Sequence, residues 1–111
     1  MESDMVDSFS NTNNMLIKDY FTNNFSNYNV KSEIAYGPYW GIEFVNKDVE
    51  ISISGDIGFS IEIRIDGTLF QLWQYDRSVN KAMKTSNENI LFQLDVLKIF
   101  LTDSLDCSGK Y

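Results

Sequence analysis

Over residues 40–75 the large apolar side chains fall at every second position. They are Trp40, Ile42 and Phe44, then Val49, Ile51 and Ile53, then Phe59, Ile61, Ile63 and Ile65. A run of that period turns all its apolar groups to one face of a pleated strand, so this stretch is committed to a sheet buried on one side. The connections are short enough for hairpins, which makes the strands antiparallel. Asp66-Gly67, between Ile65 and Thr68, is the strongest turn signal, because a type I′ turn needs positive φ at both central residues.

Each turn predicts a register, and each register predicts what lies on the outer face. A two-residue loop at Asp66-Gly67 pairs Ile65 with Thr68, Ile63 with Phe70 and Ile61 with Leu72. Directly opposed residues share a face, so Phe70 and Leu72 join the core. Gln71, Trp73 and Tyr75 then turn outward, opposite Glu62, Ser60 and Gly58. A loop at Asn46-Lys47 pairs Phe44 with Val49, Ile42 with Ile51 and Trp40 with Ile53, and sets Glu43 opposite Glu50. A loop through Gly55-Asp56-Ile57-Gly58 pairs Ile53 with Phe59 and Ile51 with Ile61, with Glu50 opposite Glu62. Upstream, residues 30–36 add a fifth strand through Gly37-Pro38-Tyr39. Pairing Ile34 with Ile42 turns Ile34 to the core and brings Glu33 opposite Glu43.

The outer face is therefore expected to carry one row: Glu33, Glu43, Glu50, Glu62 and Gln71. Like charges directly opposite cost a few tenths to ~1 kcal/mol per pair, relieved in part by Lys31 and Arg64 on the diagonals. Two glutamates would be the ordinary solvated surface of a half-buried sheet. Three or four in register, kept against their repulsion, point to a binding surface.

On either side of the strands the period lengthens to that of a helix. Residues 1–13 are polar and acidic and read as a loose helical lead-in or a frayed end. Asn13 or Asn14 is the expected cap of a helix over about 15–24, whose stripe is Leu16, Ile17, Tyr20 and Phe21. In the connection over 76–89, Val79, Ala82 and Met83 suit short helical turns against the core. Thr85-Ser86-Asn87-Glu88 matches the capping box, with Thr85 as cap and Glu88 reaching back. The helix that follows, over about 86–102, aligns Ile90, Leu94, Leu97 and Leu101. Phe92, Val96, Ile99 and Phe100 widen its apolar arc, leaving Asp95, Lys98 and Thr102 as the solvent strip, with a tail over 104–111. The expected fold is α+β, one domain over residues 1–111. An antiparallel five-stranded meander is flanked by an N-terminal and a C-terminal helix packed on one face, and the excess arc meets the first helix or a second subunit.

Composition narrows the chemistry. Nine basic residues against 16 acidic ones leave a net charge of −7. Such a surface repels nucleic acid and anionic membrane and favours a basic protein partner. With no histidine and one cysteine, Cys107, a disulfide framework, a zinc site of cysteine and histidine and a histidine-based dyad or triad are excluded. Cys107 reads as an incidental thiol beside Asp106. Gly55, Gly58 and Gly67 are turn residues rather than a phosphate cradle, and no cofactor is expected. Glu43 and Glu50 as a hydrolytic carboxylate pair would lack the water-excluding cleft that tunes acidity. A calcium site on the row would lack looped carbonyls. No enzyme is expected. Met1-Glu2-Ser3-Asp4 shows neither the basic nor the apolar segment of a secretory signal. The longest apolar run, residues 90–101, is too short to span a bilayer. These features suit a cytoplasmic protein.

The residues expected at a partner are Glu33, Glu43, Glu50, Glu62 and Gln71 of the row, with outward Tyr39, Trp73 and Tyr75. Taken with the order helix, meander, helix and the acidic balance, the chain resembles acidic immunity proteins. Bacteria encode these beside toxins of contact-dependent growth inhibition and related polymorphic systems. The resemblance lies in the overall pattern and carries over no family residue. It implies a tight complex with a cognate basic toxin domain, often a nuclease, whose active site or substrate approach is blocked. The alternative is an acidic type III secretion chaperone, a homodimer that wraps an effector segment and uses the apolar last helix as its interface.

Overall fold

The computed structural model describes residues 2–109, and side chains over residues 12–104. Helix α1 (Glu2–Asn24) leads into strands β1 (Asn29–Tyr36), β2 (Tyr39–Asn46), β3 (Val49–Gly55), β4 (Phe59–Ile65) and β5 (Thr68–Gln71). One helical turn, α2 (Leu72–Tyr75), and a 3-10 turn (Arg77–Lys81) then lead to helix α3 (Asn87–Gly109). The strands form one antiparallel sheet in chain order. The fold is the expected α+β meander with a helix at either end. No helix among the described residues is long and apolar enough to cross a membrane.

The alternation decides where the helices go. Trp40, Ile42, Phe44, Ile51, Ile53, Ile61 and Ile63 are all buried, and they meet Ile17 and Phe21 of α1 and Ile90, Leu94, Leu97 and Leu101 of α3. Removing a side chain of this size from water contributes ~1.5–3 kcal/mol. The Phe21 ring lies flat on Phe44, centroids 3.7 Å apart. The helices meet where the Tyr20 hydroxyl donates to Asp95 Oδ1 at 2.6 Å and Lys98 Nζ donates to Asn24 Oδ1 at 3.0 Å. Val79 and Ala82 are buried beneath the 3-10 turn, as their spacing suggested.

Both helix starts differ from expectation. Asn13 and Asn14 do not cap α1; they lie inside it and are buried. Asn14 Nδ2 instead donates to the Ile34 carbonyl at 3.2 Å, tying the helix to strand β1. At α3 the cap is Ser86, whose Oγ accepts from the Asn89 N–H at 3.1 Å, while Asn89 Nδ2 donates to the Lys84 carbonyl at 2.8 Å. The hydroxyl cap thus sits one residue later than Thr85, and in place of a carboxylate reaching back to the cap N–H the side chain three residues on donates to a carbonyl before it. Thr85 is otherwise engaged: its N–H donates to the Ile57 carbonyl at 2.7 Å. Helix α3 also runs on to Gly109, and Leu91, Phe92 and Ile99 are exposed on it beside Asp95, Lys98 and Thr102. Its outward side is more apolar than the expected strip. The side chain of Cys107 lies outside the described residues.

The sheet keeps its expected order and changes its pairings. At β4–β5 the type I′ turn forms, with φ +51° at Asp66 and +85° at Gly67, and Ile65 pairs with Thr68 and Ile63 with Phe70. The strand then stops at Gln71, because the edge of β4 beyond it is taken. Gly58 bridges Lys84, and the Phe59 N–H donates to the Met83 carbonyl at 2.8 Å. Leu72 is still buried, but from the first position of α2. Phe70 is 37% exposed rather than a core residue, leaning on Phe100 with ring centroids 5.7 Å apart.

The next two turns each sit one residue further along than expected, which moves the pairing by two. Lys47 and Asp48 form the β2–β3 turn, so Phe44 pairs with Ile51, Ile42 with Ile53 and Trp40 with Gly55. Between β3 and β4, Gly55 pairs with Phe59, Ile53 with Ile61 and Ile51 with Ile63. Gly55 has no freedom to change, since a Cβ there would collide with the Gly58 carbonyl and stand 2.5 Å from Phe59 Cα. At β1–β2 the shift is a single residue. Gly37 and Pro38 alone make the turn, and Tyr36 pairs with Tyr39. A one-residue slip exchanges the faces: Ile34 pairs with Gly41 on the outside and Glu33 with Ile42 on the helix side.

Candidate functional site

Both helices cover one face of the sheet, so the other is the surface on offer. Its residues follow from the pairings. At the end near the β1–β2 turn stand Tyr36 and Tyr39, and next to them the row Ile34, Gly41, Ser54 and Ser60. The central row is Ser32, Glu43, Ser52, Glu62 and Gln71, and beyond it lie Val45, Glu50, Arg64 and Leu69. A pairing shift of two keeps every β2, β3 and β4 residue on its expected face while changing its neighbours. Glu43 is therefore opposite Ser52, Glu62 opposite Ser52 from the other side, and Glu50 opposite Val45 and Arg64.

The continuous row of facing glutamates does not exist. Glu43, Glu50 and Glu62 are nevertheless brought together. With Ser52, Arg64 and Leu69 they line a shallow depression of about 100 Å³. Its floor is low because Ser52 is small and its neighbours are long. Glu33 is excluded from it, since the face exchange turns it toward α1, where Lys18 Nζ meets Glu33 Oε1 at 3.1 Å.

The three carboxylates are held differently. Glu50 Oε2 accepts from Lys31 Nζ at 3.2 Å, and Arg64 is its cross-strand partner, so its charge is balanced within the sheet. Lys31 reaches it because the register breaks between Val30 and Ser32. That β-bulge puts Lys31 on the outer face as well as Ser32. Glu43 Oε1 accepts from the Ser32 hydroxyl at 2.8 Å, and Glu62 Oε2 from Gln71 Nε2 at 3.1 Å. These two are positioned by neutral donors, which fix the carboxylate and leave its charge in place. Gln71 is thus a positioning residue for Glu62. Among the described residues no group of three or more acidic or cysteine side chains could hold a metal ion.

The aromatic residues divide in two. Tyr39, 56% exposed, stands on the outer face as expected, opposite Tyr36 at 75% and beside Ile34 at 57%. Trp73 and Tyr75 do not continue β5 opposite Ser60 and Gly58; they lie on α2. The Tyr75 ring meets Phe100 edge-on at 4.9 Å, and its hydroxyl donates to Asp103 Oδ2 at 3.0 Å, so it belongs to the helix side. That bond and some desolvation push the Tyr75 hydroxyl above its ordinary pKa. Trp73 is 37% exposed on the same turn.

Ile34, expected on the core side, and Tyr36, outside the expected partner set, both belong to this surface, and the Gly37-Pro38 turn is what signals it. Gly37 has φ +59°, and proline can only take negative φ. Positive then negative φ is the type II′ turn, a two-residue loop, and that loop turns Ile34 and Tyr36 outward. Comparison with family models, with curated proteins and with solved structures finds no match for this chain.

Proposed function

We propose that this chain is a binding protein of the immunity type, which neutralises a cognate basic toxin domain, such as a nuclease, in the bacterial cytoplasm. The observation that carries the reading is the uncovered sheet face. Glu43 and Glu62 flank Ser52 there with only neutral donors holding them, on a chain of net charge −7. Carboxylates fixed in place need no reorganisation to meet a lysine or arginine, and net opposite charge speeds the encounter. The exposed Ile34, Tyr36 and Tyr39 on the same face supply the apolar anchors that an interface needs at its core.

Coexpression with the product of the adjacent gene tests this. The two should copurify, the chain should protect cells from that product, and association should slow markedly as added salt shortens the Debye length from ~10 Å at 0.1 M to ~3 Å at 1 M. An adjacent product that neither binds nor harms unprotected cells would remove the reading.

One observation favours the chaperone alternative. Leu91, Phe92 and Ile99 leave apolar surface on the outward side of α3, as a homodimer through that helix would require. Sedimentation of the isolated chain separates the two, since a chaperone would be dimeric without its cargo.

A further inference from the structure

Resting on the reading of the uncovered sheet face as the partner surface, we infer that its occupant is a basic amphipathic helix laid along β2. The helix sets an apolar side chain on the Ile34–Tyr39 corner and an arginine over Ser52, between Glu43 and Glu62. Three features of the face lead there. A bare sheet face is completed by a helix or by a second sheet, and α1 and α3 are both spent on the opposite side. The middle of the face is low: Ser54 and Ser60 lie in one row, with Ser52 in the next, and buried Gly41 adds no side chain, the space above it being filled by Ser54 Cβ and Ile34 Cγ2. A cylinder about 10 Å across can approach such a floor closely.

Charge gives the third feature and the orientation. Glu50 is already answered by Lys31 and faces Arg64, whereas among the described residues no ion pair reaches Glu43 or Glu62. The attraction is thus confined to the central row, and the apolar corner stands to one side of it. A guanidinium suits the depression better than an ammonium, because its planar fork can give hydrogen bonds to two carboxylates at once. Tyr39 and Glu43 are four residues apart on β2, ~13 Å at the usual strand rise. A helix covers that span in about eight to nine residues, and of these about eight keeps both side chains on one face. The partner helix therefore carries its apolar anchor and its arginine about eight positions apart.

Alanine-based helical peptides of one composition provide the probe. In one, a leucine pair and an arginine pair stand eight residues apart; in the other, four. Amide shifts of the labelled chain should move at Gly41, Ser52, Ser54 and Ser60, with the eight-residue spacing binding about five-fold tighter or better. Glu43→Gln and Glu62→Gln should each weaken it about five-fold, whereas Glu50→Gln, the same change of net charge, should alter it less than about two-fold. Equal affinity for the two spacings, equal loss in all three variants, or shifts that map to α3 overturn the inference. A toxin domain that binds all three variants as tightly as the parent overturns it too, while leaving the broader reading intact. Absence of any cognate toxin domain removes the broader reading, and the peptide series still decides this one.

Discussion

Lys47 occupies the first position of the β2–β3 turn with φ +56°, where its Cβ crowds the following carbonyl. That conformation costs a non-glycine residue roughly 1–2 kcal/mol, part of which glycine returns as greater freedom in the unfolded chain. Lys47→Gly should therefore raise stability by about 0.5–1 kcal/mol, read as a higher urea midpoint at unchanged slope. A drop would mean that the lysine side chain holds the turn by a contact of its own. Glu50 behaves in the opposite sense to a member of a repelling row. Its ion pair with Lys31 is exposed on both sides and is worth ~0–1 kcal/mol, and its cross-strand partner is Arg64. Neutralising it relieves no repulsion, so stability is not expected to rise.

Among the elements, the boundaries that moved are those where another segment claims the same backbone. Strand β5 ends at Gln71 because Met83 and Lys84 already hold the edge of β4 at Gly58 and Phe59. Thr85 is drawn into the same edge through Ile57, which leaves Ser86 to cap α3. Ser86→Ala should cost ~1 kcal/mol, within the usual 0.5–2 for a lost cap. Calorimetric or chemical unfolding measures it, and a loss indistinguishable from zero would show that the Asn89 bond to Lys84 suffices to start the helix. Helix α1 shows the same competition, with Asn14 serving the Ile34 carbonyl from within the helix although its propensity favours a cap.

For the molecule as a whole, the contact between α1 and α3 is polar at its rim and apolar beneath. Tyr20 is central to it. Burial first, and then the Asp95 carboxylate that accepts its hydrogen bond, push its hydroxyl well above the ordinary value. The folded state thus keeps a proton that the unfolded state releases above pH ~10. There the unfolded chain binds fewer protons, so stability falls as pH rises. Tyr20→Phe should flatten that alkaline loss while removing the bond to Asp95 at neutral pH. Tyr28 and Tyr75 are raised in the same direction and act in the same sense. Urea midpoints of the two proteins, followed from about two units below to about one unit above the ordinary tyrosine pKa of ~10, check this. Parallel curves would count against it.

The sequence by itself determined which residues form the core, because face parity survives any even error in register. Trp40, Ile42, Phe44, Ile51, Ile53, Ile61 and Ile63 alternate whichever partners they face, and all are buried. The Asp66-Gly67 turn was equally legible, since few sequences other than these tolerate two positive φ angles in succession. Which glutamate faces which residue needed the tertiary structure. Moving a turn by one residue costs little locally but moves every cross-strand partner by two, and the close approach at Gly55 is visible only once β3 and β4 are docked. For β1 the loop was one residue shorter than expected, so parity itself changed. Glu33 left the outer face, and Ile34 and Tyr36 joined it. Whether Trp73 and Tyr75 extended the sheet or left it depended on a segment about ten residues later in the chain reaching the β4 edge. Alternation is a property of neighbours in sequence, whereas the occupancy of an edge is settled by segments that meet only in the folded chain.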